Sequence, residues 1–226
     1  MKPECIIAAI LTALALLLFQ GCAPKSNASR TVVGIDVGHG SDWPGLVETL
    51  ASNGFKSVTL DRPMDSASLE KIGILLIAAP GSTYAPAEAE SIRRFVKSGG
   101  GLVCAGQAWS WTYKEYGNKP IDTYPLNVVG RRLKFGVTGT NVGAPVEFGT
   151  EIMAGIGGVE RSDWWPSEVR VDDKSGKAIM KDENHKTIGA LQSHGRGKIV
   201  VYGHEGILKD NPRILVNSVN FVAGFP

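Results

Sequence analysis

Apolar and polar positions follow two different periods along this chain, and the order of those periods predicts the fold. Thr31 to Asp36 is a β-branched run ending in Gly38-His39-Gly40, a strand entering a glycine-rich loop. Leu46, Leu50 and Phe55 then recur at roughly helical spacing, with Asp42 as the expected cap and Gly54 as the stop. Ser57 to Leu60 predicts a short second strand. Ile72 to Ala79 is apolar without a break, as expected of a strand buried on both faces of a parallel sheet. Pro80-Gly81-Ser82 turns the chain. Pro86 to Lys97 carries proline at its start, Glu88 and Glu90 early, Lys97 late and Gly99 beyond, which are the marks of a helix. Leu102 to Ala105 is the fourth strand.

This β-α-β-α-β order predicts an α/β fold, a doubly wound and mostly parallel sheet with right-handed crossovers. The C-terminal third has another rhythm. Lys177 to Met180, Thr187 to Gln192 and Lys198 to Tyr202 are short strands joined by polar turns, so antiparallel pairing is expected there. Pro212 to Val222 is a closing helix with Ile214, Leu215, Val219 and Phe221 on its apolar positions. Residues 109–176 match neither period. A structureless loop of that length is improbable in a compact domain, so an elaborated insertion with its own short elements is expected.

The N-terminus has yet another pattern: Lys2, an apolar run from Ile6 to Phe19, then Gly21-Cys22. The run is shorter than the roughly 20 residues that cross a bilayer as a helix. Phe19-Gln20-Gly21-Cys22 resembles the lipobox of signal peptidase II substrates, which implies a lipoprotein signal over residues 1–21 and lipidation of Cys22. Residues 22–30 are then a flexible polar tether, and residues 31–226 one domain. A lipid-anchored location in the cell envelope follows, with the outer membrane favoured by Ala23. The net charge of +2 gives no electrostatic case for a nucleic-acid partner.

With Cys5 in the signal and Cys22 lipidated, Cys104 is left alone, unable to form an intramolecular disulfide. It is either a small buried hydrophobe or a reactive thiol. Ligands of open α/β sheets bind beyond the carboxyl ends of the strands. The candidates there are Asp36 and His39 after the first strand, Gly81 and Ser82 after the third, Gln107, Trp109 and Trp111 after the fourth, and His204 with Glu205 after the last. Asp36, His39 and Asp42 match no metal-site spacing, and no metal or cofactor is expected. His204-Glu205 begins like a zinc-protease motif, but Leu208 stands at the second ligand position.

The segments GGGLVCAGQAWSW (Gly99 to Trp111) and GRGKIVVYGHE (Gly195 to Glu205) resemble the class I glutamine amidotransferase-like domain, closest to the TRP-channel-associated-factor type and its bacterial relatives. ThuA-like proteins are a looser likeness. The resemblance implies a flavodoxin-like sheet. It also implies a nucleophile elbow, G-x-C-x-G, with a histidine in H-P-E. Here Leu102 replaces the first glycine of the elbow, and His204-Glu205 lacks the residue between. The expectation is therefore an anchored, non-catalytic domain that binds a ligand or partner, with a cell-envelope or host glycan or an envelope protein as the candidates. The tryptophans support the glycan, since aromatic faces stack on sugar rings. The alternative is a cysteine-dependent hydrolase of an amide or ester, using Cys104 as nucleophile, His204 as base and Glu205 or Asp36 to orient it.

Overall fold

The computed structural model describes residues 31–153, 156, 159, 165–171, 174 and 176–224. The lipoprotein signal, the tether and Cys22 lie outside the described residues.

Among the described residues, ten strands form two sheets. The larger has eight strands in the order β2-β1-β3-β4-β10-β9-β8-β6. Its parallel half contains β1 (Val32–Ile35), β2 (Lys56–Thr59), β3 (Ile74–Ala78), β4 (Gly101–Ala105) and β10 (Gly197–Tyr202). The other half, β9 (Thr187–His194), β8 (Lys177–Lys181) and β6 (Glu147–Phe148), is antiparallel. The first five strands in this order trace the flavodoxin-like pattern, with β10 in the fifth place. A separate ribbon pairs β5 (Phe135–Asn141) with β7 (Ser167–Val171).

The burial of β3 and β4 explains their sequence. Every residue of both strands is buried, because helices cover both faces of the sheet. Alternate side chains go to opposite layers: Val103 and Ala105 join one core cluster, Leu102 and Cys104 the other. The first layer holds α1 (Leu46–Ser52) and α8 (Pro212–Ala223) through Leu46, Leu50, Ile214, Leu215 and Val219. The second holds α2 (Ser66–Glu70), α3 (Pro86–Lys97) and α5 (Pro125–Leu133). Each fully buried leucine or isoleucine contributes on the order of 1.5–3 kcal/mol.

Three details complete or amend the sequence reading. Asp42 is exposed and does not cap α1, which starts at Leu46 behind Gly45 in a left-handed conformation (φ 84°). The segment 109–176 holds α4 (Trp109–Thr112), α5, β5, β6, α6 (Thr150–Met153) and β7 among its described residues. A further short helix, α7 (Gly206–Lys209), follows β10.

Candidate functional site

Because β1, β3, β4 and β10 run parallel, their carboxyl ends open on one edge of the sheet. Asp36 follows β1 and caps a one-turn 3-10 helix, accepting from the His39 amide at 3.2 Å. The His39 ring returns to the same carboxylate, Nδ1 to Oδ1 2.8 Å. Tyr84, from the loop after β3, donates its phenol to the other oxygen of Asp36 and stacks on His39 with ring centroids 3.8 Å apart. Glu88, in the first turn of α3, lies 3.6 Å from His39 Nε2. Burial, then the Asp36 charge, holds the Tyr84 phenol well above its usual range, so it stays a donor. Asp36 and His39 are thus buried and bonded to one another at the end of β1.

Glu88 joins this knot to α3. Burial raises its carboxyl, but amide hydrogen bonds from Met64 at 2.9 Å and Ala85 at 2.7 Å, with His39 and Arg62, outweigh that and lower it. A depressed folded value stabilises the fold above the unfolded value, and the gain is lost as pH falls through the folded one. Glu88→Gln is accordingly expected to flatten the acid limb of the urea-unfolding midpoint against pH. An unchanged acid limb would show that Glu88 carries no such linkage.

Cys104 sits within β4, level with Ile77 of β3 and Val201 of β10. It is fully buried, and its thiol rests 3.6 Å from the Val200 carbonyl oxygen. Burial alone pushes the thiol far above its ordinary range. An attacking thiolate needs the reverse, a positive or basic neighbour. His204 lies beyond the end of β10, where its Nδ1 accepts from the Gly206 amide at 2.9 Å and stands 3.8 Å from Glu205. Burial lowers the His204 ring, with Glu205 and Asp210 pulling the other way. The structure brings His204 and Glu205 together and leaves Cys104 inside the apolar layer.

The turn after β4 is closed as well. Ser167 Oγ, from β7, accepts from the amides of Ala108 at 2.9 Å and Trp109 at 3.0 Å. Both amides are thus spent on a hydroxyl that β7 supplies, which pins the turn to the β5–β7 ribbon. Nothing in the sequence around Ser167 signals this contact, which spans nearly 60 residues.

The other expected residues spread outward. Gln107 is half-buried beside this turn. Trp109 donates its indole N–H to the Trp165 carbonyl and meets Tyr113 edge-on at 5.2 Å. Trp165 and Tyr113 are 58% and 48% exposed, so their rings are open to solvent here. Gly81, Ser82 and Trp111 instead line a cleft with Lys119, Thr123 and Arg131. Lys119 holds its ammonium 3.9 Å over the Trp111 ring. Tyr84, Glu88, Ser167 and Lys119 were not singled out by the sequence; the only local signal among them is Glu88, three residues after the Ala85 whose amide it binds.

An α/β scaffold of flavodoxin-like order, with a strand-end edge on which the cysteine is internal, defines the class. Within it, residues 77–148 match the family model TCAF_N, described as "TRPM8, N-terminal domain". That span runs from β3 to β6 and includes Gln107, Trp109, Trp111 and Lys119. TRPM8 channel-associated factor 1 of Pongo abelii is 27% identical over 191 residues, covering 73% of this chain and 20% of the relative. The Homo sapiens protein of that name is 26% identical with the same coverage. The chain therefore spans about a fifth of the length of the curated relatives it matches. Among solved structures, the mmIFT52 N-terminal domain shares the fold, with a TM-score of 0.65, 15% identity, and coverage of 84% of this chain and 96% of that one.

These findings support the TRP-channel-associated-factor likeness. They also correct the expected location: the relatives are eukaryotic proteins, which overturns a bacterial cell-envelope lipoprotein of the outer membrane.

Proposed function

We propose that this chain is a non-catalytic association domain, an amidotransferase-like scaffold without the reactive centre, whose partner is a TRPM8-type channel. The partner comes from the names of its relatives, which are called TRPM8 channel-associated factors. The observation that carries the non-catalytic reading is Cys104, fully buried with burial as the cause of its raised thiol. The exposed rings of Trp165 and Tyr113 supply a contact surface, since aromatic residues dominate the energetics of protein interfaces.

The test is co-precipitation of the tagged chain with a TRPM8 channel from solubilised membranes. Wild type and Cys104→Ser should capture the channel equally. The Trp165→Ala/Tyr113→Ala pair should weaken capture by about ten-fold or more, the usual cost of truncating a hot spot. In parallel, peptide mapping after brief alkylation should find Cys104 unlabelled until the protein is unfolded. Labelling of native Cys104, together with a hydrolysis lost in Cys104→Ser, would replace this reading with the hydrolase. A glycan ligand is the second reading, favoured by the exposed Trp165 ring. Glycan-array binding lost in Trp165→Ala, without channel capture by the wild type, would select it.

A further inference from the structure

The cleft beside Trp111 has a chemistry that the association reading does not use. It encloses about 430 Å³ at the carboxyl-end edge of β3 and β4, where ligands of this fold class bind. Two cations reach it: Lys119, whose ammonium rests on the Trp111 ring, and Arg131, 60% exposed and 3.7 Å from Asp122 at the protein surface. An exposed pair of that kind is worth little and is readily exchanged for a better anion.

The hydroxyls are not equivalent. Thr123 accepts from the Trp111 indole at 3.0 Å and donates to the Pro120 carbonyl at 2.7 Å, so its proton is spent. Ser82 accepts from the Arg62 guanidinium, which is itself fixed by a 2.8 Å bond from Nε to the Gly38 carbonyl. A hydroxyl that accepts from a guanidinium keeps its own proton to give. Ser82, which lines the cleft beside Thr83, therefore keeps a proton to donate.

We infer that this cleft binds a phosphate monoester. Ser82, Thr83, Lys119 and Arg131 offer two positive charges and more N–H and O–H donors than the two oxygens of a carboxylate can use. A phosphate monoester presents three acceptor oxygens and close to two negative charges, which matches that set. Trp111 supplies an aromatic wall for a ring carried on the ester. Lys119 moves from the indole to the phosphate with little cost, because an exposed cation–π contact is worth only about 0.5–1 kcal/mol.

Isothermal titration in a phosphate-free buffer tests this with inorganic phosphate, phenyl phosphate and phenylacetate. Sedimentation with phosphatidylcholine vesicles, with and without phosphatidylinositol 4-phosphate, distinguishes a lipid headgroup from a soluble ester. Saturable binding is expected for both phosphates, tighter for phenyl phosphate and about ten-fold weaker for phenylacetate. Lys119→Ala and Arg131→Ala should each weaken phosphate binding by about ten-fold, Arg131→Lys by less, and Ser82→Ala by a few-fold. Binding of the vesicles alone, with the same losses, keeps the site and assigns it a lipid source. No saturable binding of any phosphate probe, or binding unaltered in the Lys119→Ala/Arg131→Ala pair, overturns the inference. Trp165 does not line the cleft, so phosphate binding that survives Trp165→Ala/Tyr113→Ala separates this site from channel capture.

Discussion

Asp36→Ala is expected to destabilise the fold by about 3–5 kcal/mol, because it strands several buried groups at once. The Asp36 carboxylate accepts from the His39 amide, the His39 ring and the Tyr84 phenol, and none of the three has water to turn to. His39 Nε2 is already without a hydrogen-bond partner among the described residues, so losing the Nδ1 bond leaves the ring unsupported. The knot also ties the ends of β1 and β3 together: Gly81 donates to the His39 carbonyl at 2.8 Å, and Ser41 accepts from Ala78 at the same distance. Urea unfolding followed by circular dichroism measures the loss. Asp36→Asn should lose about half as much, since its side-chain amide can donate to the Tyr84 oxygen while its carbonyl still accepts from His39. Tyr84→Phe should cost about 1–2 kcal/mol by removing one donor and its acceptor's partner. A loss below about 1 kcal/mol for Asp36→Ala would mean that the knot does not hold the strand ends.

The parts of this fold that were legible in the sequence are those whose cause is local. The unbroken apolar runs of β3 and β4 follow from burial on both faces, and Pro86, Glu88 and Gly99 bracket α3 because helix ends need these residues. The helix α2 was not read, because its five residues fall below the length at which periodicity shows, although Asp65 and Ser68 bond reciprocally through side chain and amide at its start. The β5–β7 ribbon could not be read, because Phe135 pairs with Val171 across a long stretch of chain and neither strand alternates cleanly. The site divides in the same way. That the strand ends share an edge follows from the βαβ order. Which side chains face outward does not: Asp36 and His39 look like ligands by residue type and are turned inward by Tyr84, a residue with no pattern of its own. Cys104 is decided by register, since alternation along β4 places it with Leu102 in the helix-covered layer.

Gly203→Ala is the substitution expected to open the turn after β4 from a distance. A Cβ at Gly203 would stand 1.9 Å from the Ser167 carbonyl oxygen and 2.9 Å from its carbonyl carbon, so relief requires moving backbone rather than a side chain. The approach is held by the Ser167 amide donating to Gly203 O at 2.9 Å and by the Gly203 amide donating to Ile188 O at 2.8 Å. Pushing β7 away from β10 breaks the first of these and withdraws Ser167 Oγ from the Ala108 and Trp109 amides, leaving the buried Ala108 amide and the half-buried Trp109 amide without this acceptor. Overpacking of about 1–3 kcal/mol and the orphaned amides together give an expected loss of about 3 kcal/mol or more. Ser167→Ala removes only the hydroxyl and should cost about 1–3 kcal/mol. Because both substitutions act on the same two amides, the double variant should lose clearly less than the sum of the singles, and that shortfall in a double-mutant cycle is the diagnostic quantity. Additive losses would show that β10 and the β4 turn are not coupled through Ser167. Coupling of the expected size means that the strand-end edge is shaped by the inserted ribbon, whose β7 strand supplies the hydroxyl that holds the turn after β4.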